Sequence, residues 1–342
     1  MSRSPTLLIA GCGDIGSRLA LQMLAQGWAV HGMRRDISRL PAGVLPVAAD
    51  LHGDQCPPAW PTGELDYLVY CLAASEGSEA GYRAAYVDGL RHVLGWLAQH
   101  GQRPRRVLFV SSTSVYGQGG GEWVDETSAT EPTGYSGRIM LEAEQLLLGS
   151  GLPASVVRLT GIYGPGRQWL LNQVRQGYRV VSEPPLYGNR IHADDAAGLL
   201  AFLLLADARG VALDTCYIGV DDAPAALHEV VAWLRETLAV SGWSAESTVR
   251  RAGSKRCRNA RARAGDEGVA ALQFLGHLSP PLSRPAGHAR VQSPLRVEAC
   301  PTRRRGARRC LCSRCAPLRS ASRPGWPGAA GPRRTGRRAR RK

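Results

Sequence analysis

Residues 7–16 read Leu-Leu-Ile-Ala-Gly-Cys-Gly-Asp-Ile-Gly: a short apolar run, Leu7 to Ala10, enters a turn with glycines at 11, 13 and 16. A buried strand running into that spacing predicts a strand–turn–helix unit that binds a dinucleotide. Gly11 permits the tight turn, Gly13 lets the backbone approach a pyrophosphate, and Gly16 brings the following helix close to the strand. Cys12, Asp14 and Ile15 complete the loop. The phosphates would rest on the helix N-terminus, where unpaired N–H groups and the helix dipole favour negative charge.

Leu19, Leu21, Met23 and Leu24 give the next segment an amphipathic helical spacing, and Gly27 closes it. A second strand, Trp28 to Met33, then ends at Arg34 and Arg35. A site for NAD usually carries an acid here for the ribose 2′-OH. Two guanidiniums suit a 2′-phosphate instead, so NADP is expected ahead of NAD. Asp36 beside them keeps open the reading of a solvated basic loop.

The rest of the body continues the alternation. Val44 to Ala49, Leu65 to Leu72, Val107 to Val110 and Ala154 to Leu159 read as strands, and segments near Tyr82–His100, Ser136–Leu148 and Ala196–Leu205 read as helices. Strands alternating with helices predict an α/β fold, a doubly wound parallel sheet of the Rossmann kind with ligands at the carboxyl ends of the strands.

Charge divides the chain. Residues 1–261 hold 24 Lys+Arg against 25 Asp+Glu, whereas residues 262–342 hold 19 against 3, so the net +15 belongs to the tail. The body therefore gives no electrostatic reason to bind nucleic acid or an acidic membrane. The five scattered cysteines of residues 1–261, at 12, 56, 71, 216 and 257, have no framework spacing and suggest a reduced compartment. No leader is expected, and the longest apolar segment, around Leu199 to Ala206, is too short to span a bilayer. These features predict a soluble, cytoplasmic protein.

Several motifs in order carry a resemblance: the turn at 11–16, the Asp50–Leu51 pair, Ser111 to Gly117, Tyr135, Arg158 to Arg167, and Asn189 to Asp195. Over about residues 5–261 the chain resembles the extended short-chain dehydrogenase/reductases, specifically the NAD-dependent epimerase/dehydratase group and its atypical YeeZ-like subgroup. The resemblance implies Asp50 and Leu51 near the adenine, Cys71, Leu72 and Ala73 along the dinucleotide, and Leu159 near the nicotinamide. It also implies three parts: a dinucleotide-binding core (1–160), a small substrate lobe interleaved with it (161–261), and a tail (262–342).

The family's chemistry rests on a Ser or Thr before the VYG stretch, here Ser112, and on a Tyr with a Lys four residues later. A free phenol titrates near pH 10. A neighbouring cation lowers that value until the phenolate accepts the substrate proton while hydride moves. Ser112 would hold the same substrate oxygen. Tyr135 is the candidate acid/base, but Ile139 stands where the Lys is expected, and no lysine precedes Lys255. Arg138 could supply the missing field, or it could be a solvent-facing helix residue. Tyr135 could equally pack on the sheet. The implied activity is hydride transfer at a carbonyl or secondary alcohol of a small, anionic or sugar-like substrate. The alternative is an NADP(H)-loaded sensor with little catalysis.

Nucleotide-sugar epimerases of this kind usually carry Asn where this chain has Gly161, which weakens a nucleotide-sugar assignment. Tyr163, Arg167 and Arg190 are candidate substrate residues. His192 with Asp194 and Asp195 lacks the further ligands of a zinc site. It reads better as a turn opening the next helix, with Asp194 or Asp195 near its N-cap. No metal is expected. Helices beside the central strands often pair subunits in this family, so a homodimer is one option.

The tail is rich in Arg, Pro, Gly, Ala and Ser with little apolar periodicity, a composition too poor to offset ordering entropy. It is expected to be disordered and to come from a shifted reading frame. The functional alternative is a basic arm that would bind nucleic acid nonspecifically through phosphates.

Overall fold

The computed structural model describes residues 3–243 and 253–263. Its centre is a sheet of seven parallel strands: β1 (Thr6–Ala10), β2 (Ala29–Arg34), β3 (Leu45–Ala48), β4 (Tyr67–Tyr70), β5 (Arg106–Ser112), β6 (Ala154–Leu159) and β7 (Cys216–Gly219). Their spatial order is β7-β6-β5-β4-β1-β2-β3. The chain starts in the middle, winds outward to β3, and restarts at β4 on the other side of β1. The expected Rossmann-type doubly wound sheet is therefore present, and the β1–β4 junction is its switch point, where such folds take ligands.

Among the described residues seven α-helices accompany the sheet: α1 (Asp14–Ala25), α2 (Glu79–Arg83), α3 (Gly89–Gln99), α4 (Tyr135–Leu148), α5 (Trp169–Arg175), α6 (Ala193–Ala208) and α7 (Leu227–Thr237). Strand β1 shows how they are distributed. Leu7 and Ile9 pack with α1 and α6, while Leu8 and Ala10 pack with α3 and α4. Successive side chains of a strand point to opposite faces, so an uninterrupted apolar run is what a strand covered on both faces requires. Each fully buried Leu or Ile stabilises the fold by roughly 1.5–3 kcal/mol. Helix α6 is apolar on nearly every side, from Ala196 to Ala206, because it is buried all round, with α1 among its neighbours.

A smaller apolar cluster joins Val174 of α5 to Leu227, Val230, Val231 and Leu234 of α7. Three short ribbons adjoin the main sheet: Gly161–Tyr163 with Arg190–His192, Tyr187–Gly188 with Ala225–Ala226, and Glu122–Val124 with Lys255–Cys257. Among the described residues no helix is long and apolar enough to cross a membrane.

Two local expectations change. The helix expected from Tyr82 begins at Glu79, capped by the Ser78 hydroxyl, and contains a π-helical turn at Ala84–Asp88. The Tyr70 hydroxyl donates to the Ala85 carbonyl within that turn, so tertiary packing supplies what the helix ladder gives up. Helix α6 is capped by His192, whose Nδ1 accepts from the Asp194 N–H at 3.3 Å, and Asp194 and Asp195 lie inside its first turn. Apart from Ala262 and Arg263, the tail lies outside the described residues, and so do the readings made of it.

Candidate active site

The glycine turn is built as its spacing demands. Gly11 has φ +89°, and the N–H groups of Gly11 and Cys12 both donate to the Met33 carbonyl, at 3.1 and 2.8 Å. A Cβ on Gly11 would stand 2.6 Å from the Leu72 backbone. One on Gly16 would stand 3.0 Å from both the Gly11 carbonyl oxygen and Ile9 Cγ2, so helix and strand touch there. Gly13 differs, since its nearest neighbour would be 4.0 Å away and its face is open. Gly13 is also the N-cap of α1, and no side chain caps that helix. A glycine cradle with an uncapped helix end fits a dinucleotide pyrophosphate. Cys12 turns inward, its Sγ 3.9 Å from Ser17 Oγ, and burial pushes its thiol pKa up.

A cleft of about 640 Å3 runs from this turn along the carboxyl ends of the strands. Gly11, Gly13, Asp14 and Ile15 line it, and Arg34, Arg35, Asp50 and Leu51 line it further along. Arg34 Nη1 donates to the carbonyls of Cys12 (3.1 Å) and Arg39 (3.3 Å), which ties its guanidinium to the turn. Arg35 is exposed. Asp36 does not neutralise the pair by direct contact. Its carboxylate caps the turn Ile37–Arg39 and accepts from the Ser38 hydroxyl, the chief reason its pKa is lowered. Cys71, Leu72, Ala73 and Leu159 also line the cleft, and burial pushes the Cys71 thiol up to about 12.

Ser112 lines the cleft as well, and its Oγ accepts from the Ser114 N–H at 3.1 Å. Behind it, Ser111 donates to the buried carboxylate of Glu144. Helix α4 begins against this turn, because Gly137 leaves room for the Ser114 carbonyl, which a Cβ would meet at 2.2 Å. Tyr135, the first residue of α4, is not among the lining residues. Its hydroxyl donates to the Gly77 carbonyl, and its ring stands edge-on to Tyr82 at 5.6 Å. Arg138 is exposed and donates to the Thr133 carbonyl at 2.8 Å, whereas Ile139 is buried in the core.

The three candidate substrate residues separate. Arg167 lines the cleft and donates to Asp14 Oδ2 through Nε (3.2 Å) and Nη2 (2.9 Å). Tyr163 and Arg190 lie outside it, in the ribbon 161–163/190–192. Tyr163 packs edge-on against His192 at 5.2 Å, and Arg190 donates to the Gly188 carbonyl at 3.1 Å. Both act on Asp221, whose carboxyl is pushed up to about 7, first by burial and then by Asp195. Among the described residues no group of three or more His, Cys, Asp or Glu is placed to hold a metal.

The model of the NAD dependent epimerase/dehydratase family matches residues 7–219, from β1 to the end of β7. The chain belongs to this family. It is an NAD(P)-dependent oxidoreductase of the epimerase/dehydratase type. The protein YeeZ of Escherichia coli K12 is 28% identical over 221 residues, which are 61% of this chain and 76% of YeeZ. A candidate NAD-dependent epimerase/dehydratase from Methylobacillus flagellatus is 34% identical, with a TM-score of 0.62 over 79% of this chain and 98% of that one. WbmG from Bordetella bronchiseptica, solved in complex with NAD, shares the fold: 15% identity and a TM-score of 0.60 over 77% of this chain and 88% of WbmG.

In this epimerase/dehydratase cleft several lining residues were not anticipated: Arg39 beside Arg34, Tyr82 and Tyr86 from the helix with the π turn, and Ser136, Met140 and Thr160 near Ser112. Tyr82 and Tyr86 form an i, i+4 pair with ring centroids 5.3 Å apart, a spacing that could have marked them as one helix face. Thr160 lies within the Arg158–Arg167 stretch but had no role assigned from sequence; it comes to the cleft because β6 ends there.

Proposed function

We propose that this protein binds NADP(H) and transfers hydride at a carbonyl or secondary alcohol of a small substrate. The observation that carries the reading is one continuous cleft joining Arg34, Arg35 and Arg39 at one end to Ser112, Ser136 and Thr160 at the other, with the open face of Gly13 between them. A nicotinamide dinucleotide in this cleft supplies the hydride donor or acceptor. Arg34 and Arg35 bind its 2′-phosphate by charge-assisted hydrogen bonds. Asp50, Leu51, Cys71, Leu72, Ala73 and Leu159 shape the groove between adenine and nicotinamide, and Ser112 holds the substrate oxygen.

Tyr135 is the proton donor or acceptor. It is the first residue of α4, at the positive end of that helix. Arg138, bonded to the Thr133 carbonyl, adds positive charge within the same turn. To act, the Tyr135 hydroxyl must leave the Gly77 carbonyl. That contact, with Ile139 buried where the family places its Lys, also favours a second reading, a cofactor-loaded sensor with little turnover.

Calorimetry with NADPH, NADP, NADH and NAD, followed by single-turnover hydride transfer against a panel of carbonyls, tests both. NADPH is expected to bind at least ~10-fold more tightly than NADH, with Arg35→Ala removing the difference, since one hydrogen bond to a charged group is worth about 1.5–3 kcal/mol. Absence of binding by every form defeats the cofactor reading, and equal affinity defeats the 2′-phosphate assignment. Tight binding without transfer to any carbonyl selects the sensor.

A further inference from the structure

We propose that Arg167 is a clamp for the cofactor rather than a substrate residue: its guanidinium, held at the first turn of α1 by Asp14, binds the pyrophosphate of the dinucleotide. The inference rests on the reading that the cleft takes a nicotinamide dinucleotide. It adds a residue that follows β6 to a site whose phosphate end is otherwise made by the turn after β1.

Three observations carry it. Arg167 is 153 positions from Asp14, yet it lines the same cleft as Gly11, Gly13 and Ile15. Its Nε and Nη2 both meet Asp14 Oδ2, while Nη1 has no hydrogen-bond partner among the described residues. Asp14 has a second cation partner besides Arg167, because Arg18, one helical turn on, donates to its other oxygen at 2.9 Å. A guanidinium with a spare Nη1 beside an uncapped glycine turn can take an anion without giving up Asp14.

Charge accounting points the same way. A pyrophosphate approaching α1 meets the Asp14 carboxylate, and burial alone would raise the pKa of that acid. The hydrogen bonds and charges of Arg18 and Arg167 outweigh burial and keep it below its usual range, so Asp14 stays ionised. An ionised carboxylate repels the incoming anion, and Arg167, shared between the two, converts that repulsion into a bridge.

The clamp has a fixed base. Gly164, at φ +135°, starts the loop, and the Arg167 N–H closes it on the Gly164 carbonyl at 3.1 Å. A Cβ on Gly164 would stand 2.8 Å from His192 Nε2, so the loop rests on the residue that caps α6. Asp194 of that helix pairs in turn with Arg18, which closes a ring of contacts around the start of α1.

The test is calorimetry on the full chain with two fragments, ADP-ribose, which carries the pyrophosphate, and 2′-AMP, which does not. In Arg167→Ala, ADP-ribose affinity is expected to fall about 10–100-fold while 2′-AMP affinity holds, and Arg167→Lys should recover part of the loss. Asp14→Asn, which removes the competing carboxylate, should tighten ADP-ribose severalfold. It gives an independent answer if Arg167→Ala does not fold. Unchanged ADP-ribose affinity in Arg167→Ala, or weaker binding in Asp14→Asn, overturns the clamp. Wild-type protein that binds neither fragment overturns the underlying dinucleotide reading instead.

Discussion

Glu144 on α4 grips Arg158 on β6 in a two-pronged buried ion pair: Oε1 accepts from Nε at 3.0 Å and Oε2 from Nη2 at 2.7 Å. The remaining capacity is used as well. Ser111 donates to Oε1 at 2.6 Å, and Arg158 Nη1 donates to the Tyr116 hydroxyl at 2.8 Å, whose O–H donates in turn to the Asp125 carbonyl. A buried pair held by this many hydrogen bonds is costly to break, because one charge is left behind without a partner. Glu144→Gln or Arg158→Met alone is expected to cost about 3–5 kcal/mol in chemical denaturation. The double replacement Glu144→Gln/Arg158→Met should cost less than the two singles together. Additive costs would mean that the pair is not coupled.

The glycine turn separates stability from binding. Gly11→Ala puts a Cβ 2.6 Å from the Leu72 backbone at φ +89°, where neither neighbour is a flexible side chain. It should destabilise the fold by at least about 1–3 kcal/mol and abolish dinucleotide binding. Gly13→Ala meets nothing closer than 4.0 Å, so the melting temperature should hold while cofactor affinity drops, the methyl occupying the open face. Equal thermal losses in the two variants would refute this division.

Long-range structure was legible in the sequence wherever a periodic pattern met a glycine. The run Leu7 to Ala10 read as a strand and Ala196 to Leu205 as a helix, and the structure forms and buries both. Arg34 and Arg35 follow directly from their place at the end of β2. What could not be read was set by contacts between distant residues. Arg167 and Asp14 are paired across 153 positions. The ribbon joining Glu122–Val124 to Lys255–Cys257 is three residues long, too short for a period. Tyr135 also illustrates the limit, since its place in the motif is local, whereas the direction of its hydroxyl depends on where the chain brings Gly77. Asp194 and Asp195 lie near the N-cap of α6 as read, while the cap itself is His192, which the ribbon 161–163/190–192 delivers there.

Asp221 gives a pH dependence with a definite sign. Its carboxyl is pushed up to about 7, by burial first and the Asp195 charge second, with the Tyr163 hydroxyl and Arg190 working in the opposite direction. In the unfolded chain the same group titrates near about 4. Between those values the folded protein keeps a proton that the unfolded chain has released. Stability from this group therefore falls as pH rises from about 4 to 7 and stays low above that. Asp221→Asn should flatten this slope and be more stable than wild type at pH 8 by roughly 1–3 kcal/mol. Denaturant midpoints measured from pH 5 to 8 decide it, and parallel slopes for the two proteins would remove Asp221 as the cause.

Tyr135 carries the sharpest division between catalyst and scaffold. Its ring packs against Tyr82, and its hydroxyl makes one hydrogen bond, to the Gly77 carbonyl. Tyr135→Phe keeps the ring and loses only that bond, which is partly exposed, so stability should change by no more than about 1 kcal/mol. Cofactor affinity should be unchanged, because Tyr135 does not line the cleft. If the phenol moves the substrate proton, single-turnover hydride transfer should fall by about 100-fold or more, the usual worth of a positioned acid or base. A variant that loses stability but transfers hydride at the wild-type rate would make Tyr135 a strut between α4 and the Gly77 loop. Proton transfer would then fall to another group at the Ser112 end of the cleft, with Tyr82, Tyr86 and Ser136 the next to replace.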